Sequence, residues 1–468
     1  MQDADLLITG ASVITMDGER RIIENGAVAV TGDTVTAVGT EAELHGRYTG
    51  ARHIHAEGKY LFPGFITTHT HLFQTLLKGL GRDKTLFDWL NSSVRVALHN
   101  YTEECMYYGA MTGLIEAIRT GTTTVTDSQY CHVQKGFDEP VIQAFQELGV
   151  RGVLSKCHTD ISGLPDEIRP SYVESEDDYF EEMEVLCRRY NNNPMMSMSL
   201  APGIIWDHSK EGFIETRKMA DKYQIPVTMH LLETEDDDQF SREKYGKATV
   251  DVLEDCGILG PDFVSVHSVH MSESDFAKFQ RYGVSVSHCP VSNMILASGA
   301  APVPEFLQKG MTVSLACDGA ASNDSQDMLE VLKMTALQHK LMTRNAATVS
   351  AAEVLEMATL HGAKALLKER EIGSIEAGKK ADMFIFNPLR ARSIPLHDPV
   401  SSLVYSAGQP NIETTIIAGK TVMEDGRITG CNEEEILRKT QNTAAELVRK
   451  SGLGNVQWEQ ELKSPRYT

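Results

Sequence analysis

His69-Thr70-His71 sets two imidazoles two positions apart, directly after the run Pro63-Gly64-Phe65-Ile66-Thr67-Thr68. On an extended strand alternate side chains share a face, so both rings would turn the same way, as two ligands of one metal require. Three other apolar runs end on groups of the same kind. His230 closes Val227-Thr228-Met229, His267 closes Val264-Ser265-Val266, and Asp318 closes Val313-Ser314-Leu315-Ala316-Cys317. Glu233 follows His230 by three residues, near enough on a loop leaving a strand to move a proton beside an activated water. Imidazoles with a carboxylate suit zinc, iron and manganese alike. The chemistry they suggest is metal-assisted hydrolysis.

Spacing alone does not carry this reading. His53-Ile54-His55 has the same pattern but lies in an N-terminal β region, where it reads as a solvated strand face. His270, three residues past His267, reads as structural, and His288, at the end of its own strand, as a supporting or substrate-facing group.

The elements that must position these groups follow from periodicity. Eight apolar β runs, at 63–68, 122–126, 150–154, 195–200, 226–230, 263–267, 284–288 and 313–317, alternate with helical stretches such as 103–120, 211–223 and 328–338. That alternation predicts an α/β fold, a (β/α)8 TIM barrel, in which working residues belong at the C-terminal strand ends. Short β runs near the start (6–8, 11–14, 26–30, 35–38) and others near 381–386 and 414–420 predict a small composite β-sandwich built from both chain ends. The expected organisation is 1–62 for its first part, 63–370 for the barrel, 371–430 for its second part, and a helical tail over 431–468.

Composition narrows the partners. The 468 residues carry 44 Lys plus Arg against 65 Asp plus Glu, a net charge of −21 that repels nucleic acid and anionic membranes. The eight cysteines are scattered with no C-x-x-C pair, which argues against a disulfide framework or a structural zinc knuckle. The start, Met1-Gln2-Asp3-Ala4-Asp5, has no basic or apolar leader, and no stretch nears the ~18 apolar residues of a membrane span, so a cytoplasmic location is expected.

Five ordered motifs, His69-Thr70-His71, His230-Leu231-Leu232-Glu233-Thr234, His288-Cys289-Pro290-Val291-Ser292-Asn293-Met294, Asp318-Gly319-Ala320-Ala321-Ser322-Asn323 and Gly373-Ser374-Ile375-Glu376-Ala377-Gly378-Lys379-Lys380-Ala381-Asp382, span most of the chain. In them the sequence resembles the amidohydrolase superfamily, in the aminohydrolase branch that includes triazine hydrolases and adenosylhomocysteine, guanine and 8-oxoguanine deaminases. The resemblance implies one divalent metal, zinc first, held by His69, His71, His230 and Asp318. It also implies that Asp318 takes a proton from the water, His267 orients that water, and Glu233 protonates the ring nitrogen beside the attacked carbon. Two-metal members carry a lysine at the end of the fourth strand, whereas 195–200 reads Met-Met-Ser-Met-Ser-Leu, so a single metal is expected.

The implied activity is deamination of an amino-substituted nitrogen heterocycle, a purine, pterin or triazine base, with release of ammonia. Loss of chloride or an alkylamine from a triazine, and deamination of an adenosine-type nucleoside, are the alternatives. Nucleoside deaminases of this branch show a P-H-x-P-Y-like segment after strand four, and this chain reads Ala201-Pro202-Gly203-Ile204-Ile205-Trp206. Gln74, Trp89, His288 and Asn323 are the expected substrate contacts, with the loops 129–132 and 160–179 as further pocket walls. Self-association into a homodimer or higher homo-oligomer is expected by the same resemblance.

Overall fold

Eight parallel strands pair in strict chain order, from Phe65–Thr70 through Thr122–Gln129, Arg151–Cys157, Met196–Ala201, Val227–Leu231, Phe263–His267 and Ser285–His288 to Val313–Leu315. Nearly every residue in them is buried, as befits strands covered by helices outside and by side chains within. The computed structural model describes residues 2–453 apart from 133, 159–173, 191 and 207. First and eighth strands meet through side chains: the Thr68 hydroxyl donates to Leu315 O (3.2 Å) and lies 2.8 Å from Ser314 Oγ, and Asp318 N donates to His69 O (3.2 Å). The fold is therefore a (β/α)8 barrel whose closing seam runs beside the expected metal ligands.

Helices cover the barrel much where periodicity put them, at Glu103–Arg119, Lys210–Tyr223 and Met328–Thr343, each opened by a side-chain cap: Thr102 to Cys105 N, Ser209 to Gly212 N, and Asp327 to Leu329 N and Glu330 N. The tail helix, Glu433–Lys450, lies on the first of these, with the Arg119 guanidinium donating to both Glu433 oxygens (2.8 and 2.5 Å). The acidic run after Glu233 forms the entry and first turn of the helix Asp236–Tyr245, where carboxylates complement the helix N-terminus.

Both chain ends enter one nine-stranded sheet. The two earliest β runs are a single strand, Gln2–Ile14, whose pairing shifts at Gly10 (φ 79°), a left-handed position that interrupts the sequence pattern. Tyr60–Pro63 lies antiparallel to Met383–Phe386, with Pro63 opposite Met383, and one residue later the chain enters the barrel. Gly64 marks that junction: a Cβ there would fall 2.1–2.6 Å from the Thr123 side chain. The Arg151 guanidinium donates to both Asp382 oxygens (2.7 and 3.0 Å), a buried pair that ties the barrel to this sheet. Among the described residues no helix is long and apolar enough to cross a membrane.

Candidate functional site

His69 and His71 stand at the end of the first barrel strand, and their rings meet that of His230 from the fifth, with centroids 4.6–5.2 Å apart. His71 Nε2 is 3.2 Å from His230 Nε2, and Asp318 Oδ1 is 3.5 Å from Nε2 of both His69 and His71. The second nitrogens fix the tautomers. His71 Nδ1 donates to Ser128 O (2.6 Å), His230 Nδ1 to Gly203 O (3.3 Å), and His69 Nδ1 lies 3.1 Å from Ser128 Oγ. Burial lowers all three imidazole pKa values, that of His71 to about 3, so the facing Nε2 atoms present lone pairs to one another.

Such an arrangement fits a cation. Tetrahedral bonds of ~2.0–2.1 Å give ligand-to-ligand edges of about 3.3 Å, close to the separations here. His69 Nε2 is buried with no hydrogen-bond partner among the described residues. Burial pushes the Asp318 carboxyl upward, but the neighbouring imidazoles, that of His69 at 3.5 Å foremost, outweigh that and hold it well below the usual range. Asp318 is thus an anionic donor in a neutral histidine cluster. The fourth strand, Met196–Ala201, carries no lysine, and Lys156 at the end of the third is committed to Asp138 (3.3 Å) and Glu182 (3.1 Å).

The strand ends hold these groups in an uncommon backbone conformation. Leu232, His267, Ser268 and Asp318 all have positive φ (52°, 72°, 49° and 63°), a cluster of non-glycine residues in the left-handed region at the barrel mouth. At Asp318 the turn lets Oδ1 accept from Gly319 N (2.7 Å) and Oδ2 from Ser322 Oγ (3.2 Å).

Glu233 and His267 form a second pair beside the cluster. Glu233 Oε2 is 3.5 Å from His267 Nε2, Ser298 Oγ donates to Glu233 Oε1 (3.1 Å), and His267 Nδ1 donates to Asn293 Oδ1 (2.9 Å). Burial raises the Glu233 pKa above its ordinary value. Beneath it, buried Asp237 accepts from Glu233 N (3.2 Å), which explains why one member of the acidic run points inward.

A cleft of about 660 Å3, partly open to solvent, contains His71, His230, Glu233, His267 and Asp318. Gln74 and Trp89 line it as expected. Gln74 Nε2 donates to Tyr130 Oη (2.7 Å) while its Oε1 has no hydrogen-bond partner among the described residues, and Trp89 Nε1 donates to Ala321 O (3.1 Å). The other two expected contacts lie elsewhere. His288 is buried with its Nε2 3.3 Å from His339 Nε2, and Asn323 donates to Cys317 O (2.6 Å) behind Asp318, so both face the scaffold. Tyr130 represents the 129–132 loop in the cleft, whereas residues 160–173 lie outside the described residues.

Several groups escaped sequence reasoning. Ser128, Asn293 and Ser298 orient the site through hydrogen bonds that no spacing rule announces. Arg95 and Trp206 line the cleft beside Leu86, Leu90, Ile204 and Leu296. The apolar walls and flat indoles suit a planar ring.

Comparison with known proteins finds relatives over nearly the whole chain. Residues 60–422 match the amidohydrolase family. The chain is 35% identical over 447 residues to a 5'-deoxyadenosine deaminase of Methanosarcina mazei, covering 95% of this chain and 99% of that one. It is 33% identical over 441 residues to a 5-methylthioadenosine/S-adenosylhomocysteine deaminase of Syntrophobacter fumaroxidans, covering 94% and 98%. Among solved structures it is similar to a zinc-bound adenosine deaminase of Xanthomonas campestris (TM-score 0.90, 27% identity, 96% and 99% covered). It is also similar to the zinc complex of an atrazine chlorohydrolase of Arthrobacter aurescens (TM-score 0.87, 25% identity, 94% and 100% covered).

Proposed function

The chain belongs to the amidohydrolase family, and we propose that it is a metal-dependent hydrolytic deaminase of an amino-substituted nitrogen heterocycle. The observation that carries the reading is geometric: His69, His71, His230 and Asp318 converge at the barrel mouth, and the Glu233–His267 pair stands beside them in the same cleft. One carboxylate among the imidazoles and a second carboxyl next to them supply the two proton-handling groups a hydrolytic deamination needs. His69, His71, His230 and Asp318 would hold one divalent ion, zinc by analogy with the two zinc-bearing structures above. When bound, that ion makes water a nucleophile near neutral pH.

The remaining steps belong to the chain's own residues. Anionic Asp318 accepts the first proton of the attacking water. Glu233, whose burial favours the protonated form, gives its proton to the ring nitrogen beside the attacked carbon, so that carbon becomes electrophilic. The new C–O bond forms, its remaining proton returns to Glu233 with His267 alongside, and the proton on Asp318 passes to the amino group. The C–N bond then breaks and ammonia leaves, with water consumed and both carboxyls restored.

A purine, pterin or triazine base fits the apolar walls. Adenine nucleosides are the second reading, favoured by the names of the relatives. Gly203 lines the cleft, in the segment after strand four where the resemblance would give a nucleoside deaminase a histidine, and this favours the free base. Ammonia release from amino-purines, adenine nucleosides, pterins and triazines, with metal content measured alongside, tests the proposal. Ammonia from one ring class with about one metal per chain is the expected result, and chloride or alkylamine release without ammonia would overturn it.

A further inference from the structure

Arg95 lines the same cleft as Glu233 and Asp318 and is nine-tenths buried. Its Nη1 donates to Asn91 Oδ1 (2.9 Å), but its buried Nε has no hydrogen-bond partner, and no carboxylate lies within ion-pair distance among the described residues. An always-charged guanidinium with five N–H donors is costly to bury without an anion. The cleft's own carboxylates are committed, Asp318 to Gly319 and Ser322 and Glu233 to Ser298 and His267. The segment is also fixed in place. Trp89 Nε1, six residues earlier in the same helical segment, donates to Ala321 O in the turn that follows Asp318 (3.1 Å), which ties the segment to the reacting centre.

We propose that Arg95 is a specificity-determining residue that binds an oxygen anion on the substrate, a carboxylate or an ionised ring oxygen on the amino-heterocycle. The inference deepens the deaminase reading and rests on it for the reaction, though not for the binding. It makes the preferred substrate an acidic amino-heterocycle, with the guanidinium fork engaging the oxygen while the amino-bearing carbon faces His69, His71, His230 and Asp318.

Two matched pairs test it at mildly alkaline pH: pterin against pterin-6-carboxylate, and melamine against ammelide, its acidic dihydroxy counterpart. The wild-type enzyme is expected to prefer the acidic member of one pair, and the pair in which it does so identifies the source of the anion. Arg95→Met should lower kcat/KM for that member by about 10- to 100-fold, mainly through KM, while turnover of the neutral member stays within about threefold and Arg95→Lys falls between. Equal losses on both members, or wild-type preference for the neutral member of both pairs, would overturn the proposal.

A binding arm separates this failure from failure of the deaminase reading. Two of the three tryptophans, Trp89 and Trp206, line the cleft, so their emission reports occupancy. If none of the four compounds yields ammonia, saturable quenching by benzoate but not benzamide, lost in Arg95→Met, sustains the anion site. Equal quenching by both in wild type and variant discards it.

Discussion

His71 Nε2 and His230 Nε2 face each other 3.2 Å apart, and each ring has already given its one proton to a backbone carbonyl, Ser128 O and Gly203 O. Two lone pairs at that distance repel unless a cation lies between them. Chelation should therefore abolish activity and lower the thermal midpoint, and added zinc should restore both. Saturation at about a thousand times the dissociation constant would stabilise the fold by about 4 kcal/mol. His71→Ala should retain less than one metal per chain by elemental analysis and lose its thermal response to zinc.

Glu233→Gln keeps the size of the side chain and its bond to Ser298 but removes the transferable proton. A loss in kcat of about 100- to 10,000-fold is expected, with metal content unchanged. Because burial raises the Glu233 pKa, the protonated acid persists to higher pH than a free glutamate allows, and wild-type kcat should fall as pH rises through that raised value. A pH–rate profile without this alkaline decline would remove Glu233 from the role of acid.

Asn293 touches the reaction only through His267. Asn293→Ala frees the imidazole to rotate, and kcat should fall by about 10- to 100-fold with KM and metal content preserved. Loss of metal alongside activity would instead make Asn293 a scaffold residue.

Asp127 is buried, accepts from Leu72 N (2.8 Å), and has a carboxyl pushed up to about 7, by burial first. Unfolded, the same group ionises near the ordinary aspartate value of 3.8, so the folded state holds the extra proton between those values. Its stabilising contribution is present below the unfolded pKa and is lost as pH rises to about 7. Asp127→Asn keeps the acceptor and should flatten this loss, giving a thermal midpoint above that of wild type at mildly alkaline pH and a smaller difference in acid. Parallel pH curves for the two proteins would contradict the assignment.

Gly319 makes room for Gln74. A Cβ there would fall 1.9 Å from Gln74 Oε1 and 2.5 Å from its Cδ, so Gly319→Ala must push the amide away from Tyr130. The side chain can swing, so the fold should survive while KM rises by about tenfold, with little change in kcat. An unchanged KM would show that Gln74 does not meet the substrate.

The barrel was legible because its strands are apolar, short and evenly spaced, and because placing a donor at the end of a strand needs only period two. His69, His71, His230, His267 and Asp318 announced themselves this way. The run 63–68 was harder, since Gly64 divides it between two sheets, and the acidic run after Glu233 hid the first turn of a helix within a stretch whose charge alone suggests a loop. Ser128, Asn293, Ser298 and Arg95 were not legible, because each acts across tens of residues of intervening chain through a hydrogen bond or a shared cavity. His288 and Asn323 show the opposite difficulty: their place beside the site is plain in the motifs, but the direction each side chain takes depends on a scaffold partner, His339 or Cys317 O, that spacing does not reveal.

The pairing of Tyr60–Pro63 with Met383–Phe386 joins positions about 320 residues apart, with the first barrel strand directly beyond it. As the chain leaves the ribosome, Leu61 and Phe62 must wait, that edge unpaired, until the whole barrel has been made. The last strands to be synthesised thus complete the anchorage of the first, and a nascent chain halted before Met383 would present an apolar sheet edge open to mispairing or chaperone capture.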